Sequence, residues 1–349
     1  ARSPSDFGTV RARQASLEAC DMSDDMRSFA DGDETEIGEV SFTLTHVLNN
    51  TLPAVSLSAV PSRRRTTLDL AIEIEKRGFS GIYCPSFGDA MGLCQSIAEN
   101  TKNIPFGTSI VNIYTRHAQD YASSASYIHE ISGGRFRFGV GVSHAPMNDR
   151  LSVSTGRPLQ DTEKFIHTYK ESKRVGELPP IIIAAMRDKM ITLGARESDG
   201  IVFANAARSA IAGSLQRMNE NQKPQSDFFI GGMIPTCIST DREAAASVNR
   251  KTLSMYVGLP NYRNYWKSVG YKNEMERIEV ALSKKDYASL PSLMTDKWLE
   301  DVSLFGSSSE VKEGIEKWYE TGLETPILVP SSTDGGQFKA FEELFDLFT

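Results

Sequence analysis

Short apolar runs alternate with segments of helical periodicity along most of the chain, beginning near residue 54. The run AVSLSAV (54–60) is typical of a buried strand, and TTLDLAIEIEKRG (66–78) then places apolar residues at helical spacing before a closing glycine. Later apolar runs repeat this order of strand and helix. Together they predict eight strands: 54–60, 81–86, 104–111, 135–142, 180–186, 200–206, 228–238 and 325–331.

Most of these strands are continuously apolar, which is the pattern of parallel strands buried on both faces. The helix predicted after each strand indicates repeated right-handed βαβ units. Eight such units fit a closed barrel better than an open sheet, and a barrel of this kind usually needs ~250 residues. The predicted fold class is therefore α/β, a (β/α)8 TIM barrel, with a helical insertion at 241–320 between strands seven and eight.

Residues 1–50 differ from the rest because the stretch up to Glu39 is polar, becomes acidic towards its end and lacks sustained periodicity. We expect an N-terminal extension over 1–50 and the barrel domain over 51–349. The sequence leaves open whether the extension is a flexible arm, a small appendage or a partner-binding segment. It has no apolar stretch typical of a secretory signal, and the chain has no apolar run of about 18 residues that would span a membrane.

Charge and cysteine content restrict the partners and the compartment. A net charge of -7 argues against nucleic acid or an acidic membrane as the main partner. The four cysteines fit no metal-binding spacing, and free thiols in a reducing cytoplasm explain them most simply, with a single disulfide as the alternative. We therefore expect a cytoplasmic protein. The cysteines are Cys20, Cys84, Cys94 and Cys237.

Active sites of such barrels lie at the carboxyl ends of the strands. Here those ends are Ser58 to Ser62, Ser86 and Phe87, Ser109 to Asn112, Val142 to His144, Ala184 to Met186, Asn205, and Pro330 to Ser332. They are small and mostly neutral, which argues against a metal hydrolase, a paired-carboxylate glycosidase and a Schiff-base aldolase. We predict no metal site. A flat aromatic cofactor held largely by backbone groups is compatible with this lining.

Four segments resemble one family in the right order and spacing. SGGRFRFGVGVS (132–143) resembles the SGGR-x-x-LGVG segment of the luciferase-like monooxygenases. RGFSGIYCP (77–85), PFGTSIVNIYTRH (105–117) and PPIIIAAM…ARESDGIVFANA (179–206) resemble that family's second, third, and fifth and sixth strands. The form NIYTRH is most similar to the deazaflavin (coenzyme F-420) branch. The resemblance implies the bacterial-luciferase type of barrel and favours coenzyme F-420 over FMN.

The resemblance also implies which residues contact the cofactor. They are Ser109, Ile110, Val111, Asn112, Gly141, Val142, Ser143, Ala184, Ala185, Met186, Ala204 and Asn205. A cis peptide is expected at Ser109–Ile110, forming a bulge against the ring. Asn112 and Ser143 would hydrogen-bond the ring's pyrimidine edge, with strand-end capping as the alternative. Backbone amides at 184–186 would meet the phosphate-bearing side chain, and 204–205 are similar.

Glycines and histidines carry further interpretations. Gly133 and Gly134 would form a tight turn. Gly139 and Gly141 would leave room for a planar group inside the barrel or form a layer of a packed core. His144 follows strand four, where related deazaflavin dehydrogenases have a proton-transferring Glu, so we assign it the catalytic proton transfer. His117 packs or binds cofactor, and His129 and His167 are expected to be surface or packing residues.

One departure from the family affects the proton donor. Many relatives have Asp-His after strand two, and this chain has Ser86 and Phe87. This makes a sugar-phosphate dehydrogenase a poor match. Four aromatic residues of the insertion would line a substrate pocket or, as we favour, fill the helical core: Tyr256, Tyr262, Tyr265 and Trp266.

The predicted function is hydride transfer between coenzyme F-420 and a small organic substrate, by an expected homodimer. One alternative is an FMN-dependent monooxygenase that uses dioxygen and receives reduced FMN from a separate flavin reductase. Another is a flavin-binding protein without catalysis. A third is an interaction protein that works through residues 1–50.

Overall fold

The computed structural model describes residues 52–86, 88–220 and 227–349. The extension predicted at 1–50, Cys20 and Phe87 lie outside these described residues. The division into an extension and a barrel domain therefore stays a prediction.

Eight parallel strand positions close into a barrel, which confirms the predicted fold class. The third position is divided into two short strands, β3 and β4. Each predicted strand contains the observed one, except that β4 ends one residue beyond the predicted 104–111. The bounds are β1 Ala54–Ser56, β2 Ile82–Cys84, β3 Phe106–Thr108, β4 Val111–Asn112, β5 Phe136–Gly141, β6 Ile181–Ala184, β7 Gly200–Ala204, β8 Phe229–Ile238, β9 Leu304–Gly306 and β10 Thr325–Ser331.

Barrel closure depends on the two longest strands. β10 pairs with β8 along its whole length, from Thr325 opposite Gly231 to Ser331 opposite Cys237, and also pairs with β1. The short strand β9 extends the sheet from the upper part of β8, where Leu304 lies opposite Thr236. β9 was not among the predicted strands, because three residues inside a helical region carry no clear period.

Helices follow the strands as predicted. They are α1 Arg64–Lys76, α2 Ala90–Asn100, α3 Ala118–Ile131, α4 Ala145–Arg150, α5 Pro158–Lys170, α6 Asp188–Glu197, α7 Ile211–Asn219, α8 Arg242–Val257, α9 Pro260–Ser268, α10 Lys272–Ser283, α11 Leu290–Leu293, α12 Asp296–Val302, α13 Ser308–Tyr319 and α14 Gln337–Leu347. The start of α2 is capped by Asp89, whose carboxylate accepts from the Gly92 N–H at 3.0 Å. Among the described residues, no helix is both long and apolar enough to cross a membrane.

Two apolar clusters form the core. The larger one packs the outward side chains of the strands, such as Phe136, Phe138 and Val140, against the helices. The smaller one takes one side chain from each of six strands and fills the inside of the barrel: Ala54, Tyr83, Ile182, Val202, Phe229 and Ile327. Arg137 of β5 also lies inside, 5.3 Å from the Phe229 ring. Burial raises the pKa of Tyr83 to about 12, and a hydrogen bond with Arg137 opposes that rise.

The SGGR segment is a structural joint between α3 and β5. Gly133 and Gly134 have φ of +65° and +87°, which confirms the predicted tight turn. The Arg135 guanidinium then donates five hydrogen bonds of 2.9–3.1 Å to the Ser132 carbonyl and to groups at the end of α2 and in the following loop. The segment therefore orients β5 without entering the site.

The segment between β8 and β10 holds α8 to α13 and packs on the barrel through buried side chains. Tyr262, Tyr265 and Trp266 are at most 6% exposed, so core packing is confirmed for these three, whereas Tyr256 is partly exposed. Asp301 of α12 accepts from the N–H (2.9 Å) and hydroxyl (2.6 Å) of Ser209, beside β7. These contacts hold the insertion against the carboxyl end of the barrel.

Candidate active site

Three partly buried side chains form the floor of the barrel mouth. Ile110, Ala184 and Met233 pack on the smaller, inner cluster from the carboxyl-terminal side. Ser109 donates its hydroxyl to the Met233 sulfur at 3.0 Å. Together they offer an apolar surface on which a flat ring can rest.

The floor is shaped by the break between β3 and β4. The Ser109–Ile110 peptide is cis, as predicted. At the break, the Thr108 hydroxyl replaces backbone pairing, because it donates to the Gly139 carbonyl (2.7 Å) and accepts from the Gly139 N–H (2.9 Å). A Cβ at residue 139 would overlap the Thr108 carbonyl oxygen, so this glycine is required by packing.

Gly141 has a different surrounding. A Cβ there would lie 3.1 Å from both the Ala184 Cβ and the Ile110 Cδ1, which are two of the floor side chains. A side chain at 141 would therefore push the floor out of place. Of the two glycines predicted to make room, Gly141 borders the mouth and Gly139 serves the packed core.

Asn112 is held in a network of the barrel's own groups. Its side chain donates to Asn148 at 2.7 Å and accepts from the Tyr114 N–H at 3.0 Å. Asn148 in turn donates to the Val142 carbonyl at 3.0 Å. The network ties the end of β4 to the segment after β5, which supports the strand-end alternative for the Asn112 side chain.

The end of β5 leads directly to the predicted catalytic residue. Ser143 has φ of +56°, which is uncommon for a residue with a side chain, and it turns the backbone before α4. His144 stands at the start of α4 and makes no capping bond with its side chain. Its Nδ1 is buried and has no hydrogen-bond partner among the described residues. Burial lowers the pKa of His144 below its usual range.

Backbone amides predicted to meet the cofactor are partly occupied. The Ala185 N–H donates to the Val202 carbonyl at 3.0 Å, and the Asn205 N–H donates to the Met233 carbonyl at 3.2 Å. The Ala204 N–H faces the Met186 sulfur at 3.4 Å. No hydrogen bond from the peptide N–H of Met186 is found among the described residues, so this amide can still bind a ligand.

Asn205 joins the site to the insertion, a link that the sequence analysis did not find. Asn205 is 5% exposed and left-handed, with φ of +55°. Its side chain lies beside the hydroxyls of Tyr256 and Tyr262 and opposes the rise in the pKa of both phenols that burial causes. The rings of these tyrosines lie 5.9 and 5.6 Å from that of His144. Local sequence carries no signal for this group, because its members belong to three separate segments.

The other predicted histidines have structural roles. His117 caps α3, where its Nδ1 accepts from the Gln119 N–H at 3.2 Å. His129 is buried in α3, and exposed His167 lies 3.4 Å from Glu197. Within the described part of the chain, no group of three or more His, Cys, Asp or Glu could hold a metal. The three described cysteines are buried free thiols: Cys84, Cys94 and Cys237.

The mouth fits a flat cofactor with polar edges. It combines the apolar floor, the close approach allowed by Gly141, the unpaired Met186 N–H and the buried, unpaired Nδ1 of His144. The polar groups at this edge carry no formal charge, and the floor beside them is apolar. The residues present therefore suit a neutral heteroaromatic ring.

Comparison with known proteins adds sequence relatives and structural neighbours. The chain is 23% identical over 304 residues to a 5,10-methylenetetrahydromethanopterin reductase of Methanolobus tindarius, covering 77% of this chain and 90% of the relative. The structure matches the coenzyme F-420-dependent tetrahydromethanopterin reductase of Methanopyrus kandleri with a TM-score of 0.66 at 17% identity, covering 84% of this chain and 98% of that one.

Two further structures share the fold. An F-420-dependent secondary alcohol dehydrogenase, in complex with an F-420–acetone adduct, has a TM-score of 0.66 at 15% identity and covers 85% of this chain and 98% of its own. The oxygenating constituent of 3,6-diketocamphane monooxygenase from Pseudomonas putida, in complex with FMN, has a TM-score of 0.55 at 16% identity, with coverages of 85% and 96%.

The family model described as luciferase-like monooxygenase matches residues 41–174 and 168–325, which together span most of the chain. The match includes the strands that form the mouth, the Ser109–Ile110 break and His144. This chain belongs to the luciferase-like monooxygenase family.

Proposed function

We propose that this protein is a coenzyme F-420-dependent oxidoreductase that moves a hydride between the deazaflavin and a small organic substrate. The observation that carries the proposal is the mouth itself, an apolar floor with unpaired neutral polar groups beside it. The two structural neighbours that are named as F-420-dependent enzymes support the choice of cofactor.

The cofactor, when bound, supplies two-electron hydride transfer at a ring carbon. Ile110, Ala184 and Met233 would support one face of the ring. Ser143 and the Met186 N–H would bind its polar groups, and Asn112 would act from the strand end by keeping the segment after β5 in place. The other contacts proposed from the sequence are Ser109, Val111, Gly141, Val142, Ala185, Ala204 and Asn205.

His144 is the proposed proton-transfer residue. Because burial lowers its pKa, the imidazole is neutral near pH 7 and can accept a proton from a substrate that is being oxidised. In the opposite direction it returns that proton to the reduced product. Its position after β5 would compensate for the missing Asp-His pair after β2, where this chain has Ser86 and Phe87.

An FMN-dependent monooxygenase is the second candidate, favoured by the FMN held in the diketocamphane monooxygenase structure. It would need reduced FMN from a separate flavin reductase. A flavin-binding protein without turnover is the third. The homodimer and the cytoplasmic location stay predictions.

Cofactor titration tests the proposal. We expect coenzyme F-420 to bind more tightly than FMN, measured as the Kd from quenching of cofactor fluorescence. Ala184→Trp should weaken F-420 binding at least ~10-fold, because the indole would fill the mouth, and a tenfold loss equals about 1.4 kcal/mol. Ala288→Trp, on the exposed surface, is the matched control. Equal or absent binding of both cofactors by the wild type would contradict the proposal.

A further inference from the structure

His144 is enclosed by two tyrosine rings from the insertion. Tyr256 of α8 meets the imidazole edge-on at 5.9 Å and 90°, and Tyr262 of α9 meets it at 5.6 Å and 62°. The tyrosine rings also contact each other, at 5.1 Å and 74°. Such edge-to-face contacts restrict ring rotation more than aliphatic packing does, because they depend on angle as well as distance.

The tyrosine pair is itself anchored to the barrel. The Asn205 backbone carbonyl accepts from the Trp266 indole N–H at 3.2 Å, and the buried Asn205 side chain lies beside both tyrosine hydroxyls. Tyr262 packs on Trp266 at 5.4 Å, and Trp266 packs on Trp298 at 4.9 Å. The two tyrosines therefore stand at the end of a continuous row of rings that begins in the core of the insertion.

Core packing alone does not account for this arrangement. Tyr256 is partly exposed, so one side of the pair faces solvent. The His144 Nδ1 is buried and has no hydrogen-bond partner among the described residues, so no hydrogen bond at this nitrogen fixes the ring. The orientation of the imidazole therefore depends on the two tyrosine rings packed against it.

We propose that Tyr256 and Tyr262 are positioning residues for His144, fixing the orientation of its ring beside the mouth. This inference rests on the proposed proton-transfer role of His144 and deepens it. It makes the insertion part of the active site, because the proton-transfer residue keeps its orientation only while α8 and α9 are docked.

The pKa of His144 depends on how far the two tyrosine rings bury its imidazole, so a titration of His144 tests this packing. The titratable groups in contact with its ring are the phenols of Tyr256 and Tyr262, and burial is the cause of its lowered pKa among the described residues. Removing a ring that shields the imidazole should therefore raise the pKa towards the ordinary value of about 6.5.

The experiment is an NMR titration of the full chain labelled with ¹³C at histidine Cε1, in which His144→Gln identifies the His144 signal among the five histidines. Tyr256→Ala should raise the midpoint of His144 measurably towards the free value, because the imidazole loses part of its burial. Tyr256→Phe keeps the ring and should leave the midpoint near that of the wild type. Tyr127→Ala, an exposed tyrosine of α3, is the control. An unchanged midpoint in a folded Tyr256→Ala protein would overturn the proposal.

A second measurement needs no substitution at Tyr256. In the wild type, nuclear Overhauser contacts should join the His144 ring protons to those of both tyrosines, and their absence would refute the enclosure. The Kd for coenzyme F-420 is determined on the same samples. If the nuclear Overhauser contacts and the change in the His144 midpoint are observed but the wild type does not bind F-420, the proposed function is refuted. The packing of the two tyrosines around His144 would still be supported.

Discussion

Neighbouring residues of the mouth are constrained by different contacts. Gly139 and Gly141 lie two residues apart on β5, yet the first is required by the Thr108 carbonyl and the second by the floor side chains. The Asn112 side chain forms its hydrogen bonds with other groups of the barrel, whereas the buried Nδ1 of His144 has no hydrogen-bond partner among the described residues. The residue type therefore predicts which hydrogen bonds and packing roles are possible, and the neighbouring groups determine which of them occur in the folded protein.

The pKa of His144 gives stability a dependence on pH. Its folded pKa lies below the unfolded value of about 6.5, so below pH 6.5 the unfolded chain binds more protons and the native state loses stability. His144→Gln should remove this loss. Urea unfolding at pH 7.5 and pH 5 should therefore show a smaller drop in the variant than in the wild type. His167→Gln, on the exposed surface, is the control, and equal drops in wild type and His144→Gln would contradict the prediction.

At the scale of elements, side chains at helix and strand ends set the direction of the barrel strands. Arg135 joins the start of β5 to the end of α2, and its planar guanidinium suits five acceptors at once. Gln337 of α14 similarly clamps the segment after β1, because it accepts from the Ser58 N–H and donates to the Ser58 carbonyl. Helices outside the barrel thus hold the loops that carry the site.

Arg135→Lys should lower the free energy of unfolding by about 1–3 kcal/mol, because an ammonium cannot reach all of these acceptors and leaves buried carbonyls unpaired. The measurement is equilibrium urea unfolding at pH 7. Arg64→Lys, at an exposed position of α1, should change the free energy by less than ~0.5 kcal/mol. A loss of the same size in both variants would mean that Arg135 is not a structural joint.

For the whole molecule, the attachment of the insertion matters most. Asp301 receives the Ser209 N–H and hydroxyl and the Tyr271 hydroxyl at 2.7 Å, while Asn205 receives the Trp266 N–H. On the barrel side, Asn205 and Ser209 both follow β7. The insertion is therefore attached beside the same part of the mouth that its tyrosines reach. The polar anchors specify one docking position, which an apolar contact alone would leave less defined.

Asp301→Ala should cost about 1–3 kcal/mol, because it leaves the buried Tyr271 hydroxyl without an acceptor and removes both bonds to Ser209. Hydrogen exchange followed by mass spectrometry should show faster exchange in α9 while the amides of β5 and β6 stay protected. Glu276→Ala, on the exposed side of α10, is the matched control. Uniformly faster exchange over barrel and insertion would show instead that the two unfold together.

Much of this architecture was predictable from the sequence because its signals are local. Continuous apolar runs, helical spacing and the closing glycines depend on neighbours within a few residues, so eight barrel strands and their helices could be assigned. The segments around the Ser109–Ile110 break and the SGGR turn were informative for the same reason. The short strand β9 was missed because three residues are too few to show a period.

The contacts between groups on different sides of the mouth could not be predicted from local sequence and are seen only in the folded structure. Asn205 and Trp266 are 61 residues apart in sequence, and their hydrogen bond exists because the insertion folds back over β7. The same return places Tyr256 and Tyr262 against His144. The sequence determined the barrel, the neutral character of its mouth and the family, since all three follow from local patterns. The surroundings of His144 depend on contacts between distant segments, which form only when the chain is packed.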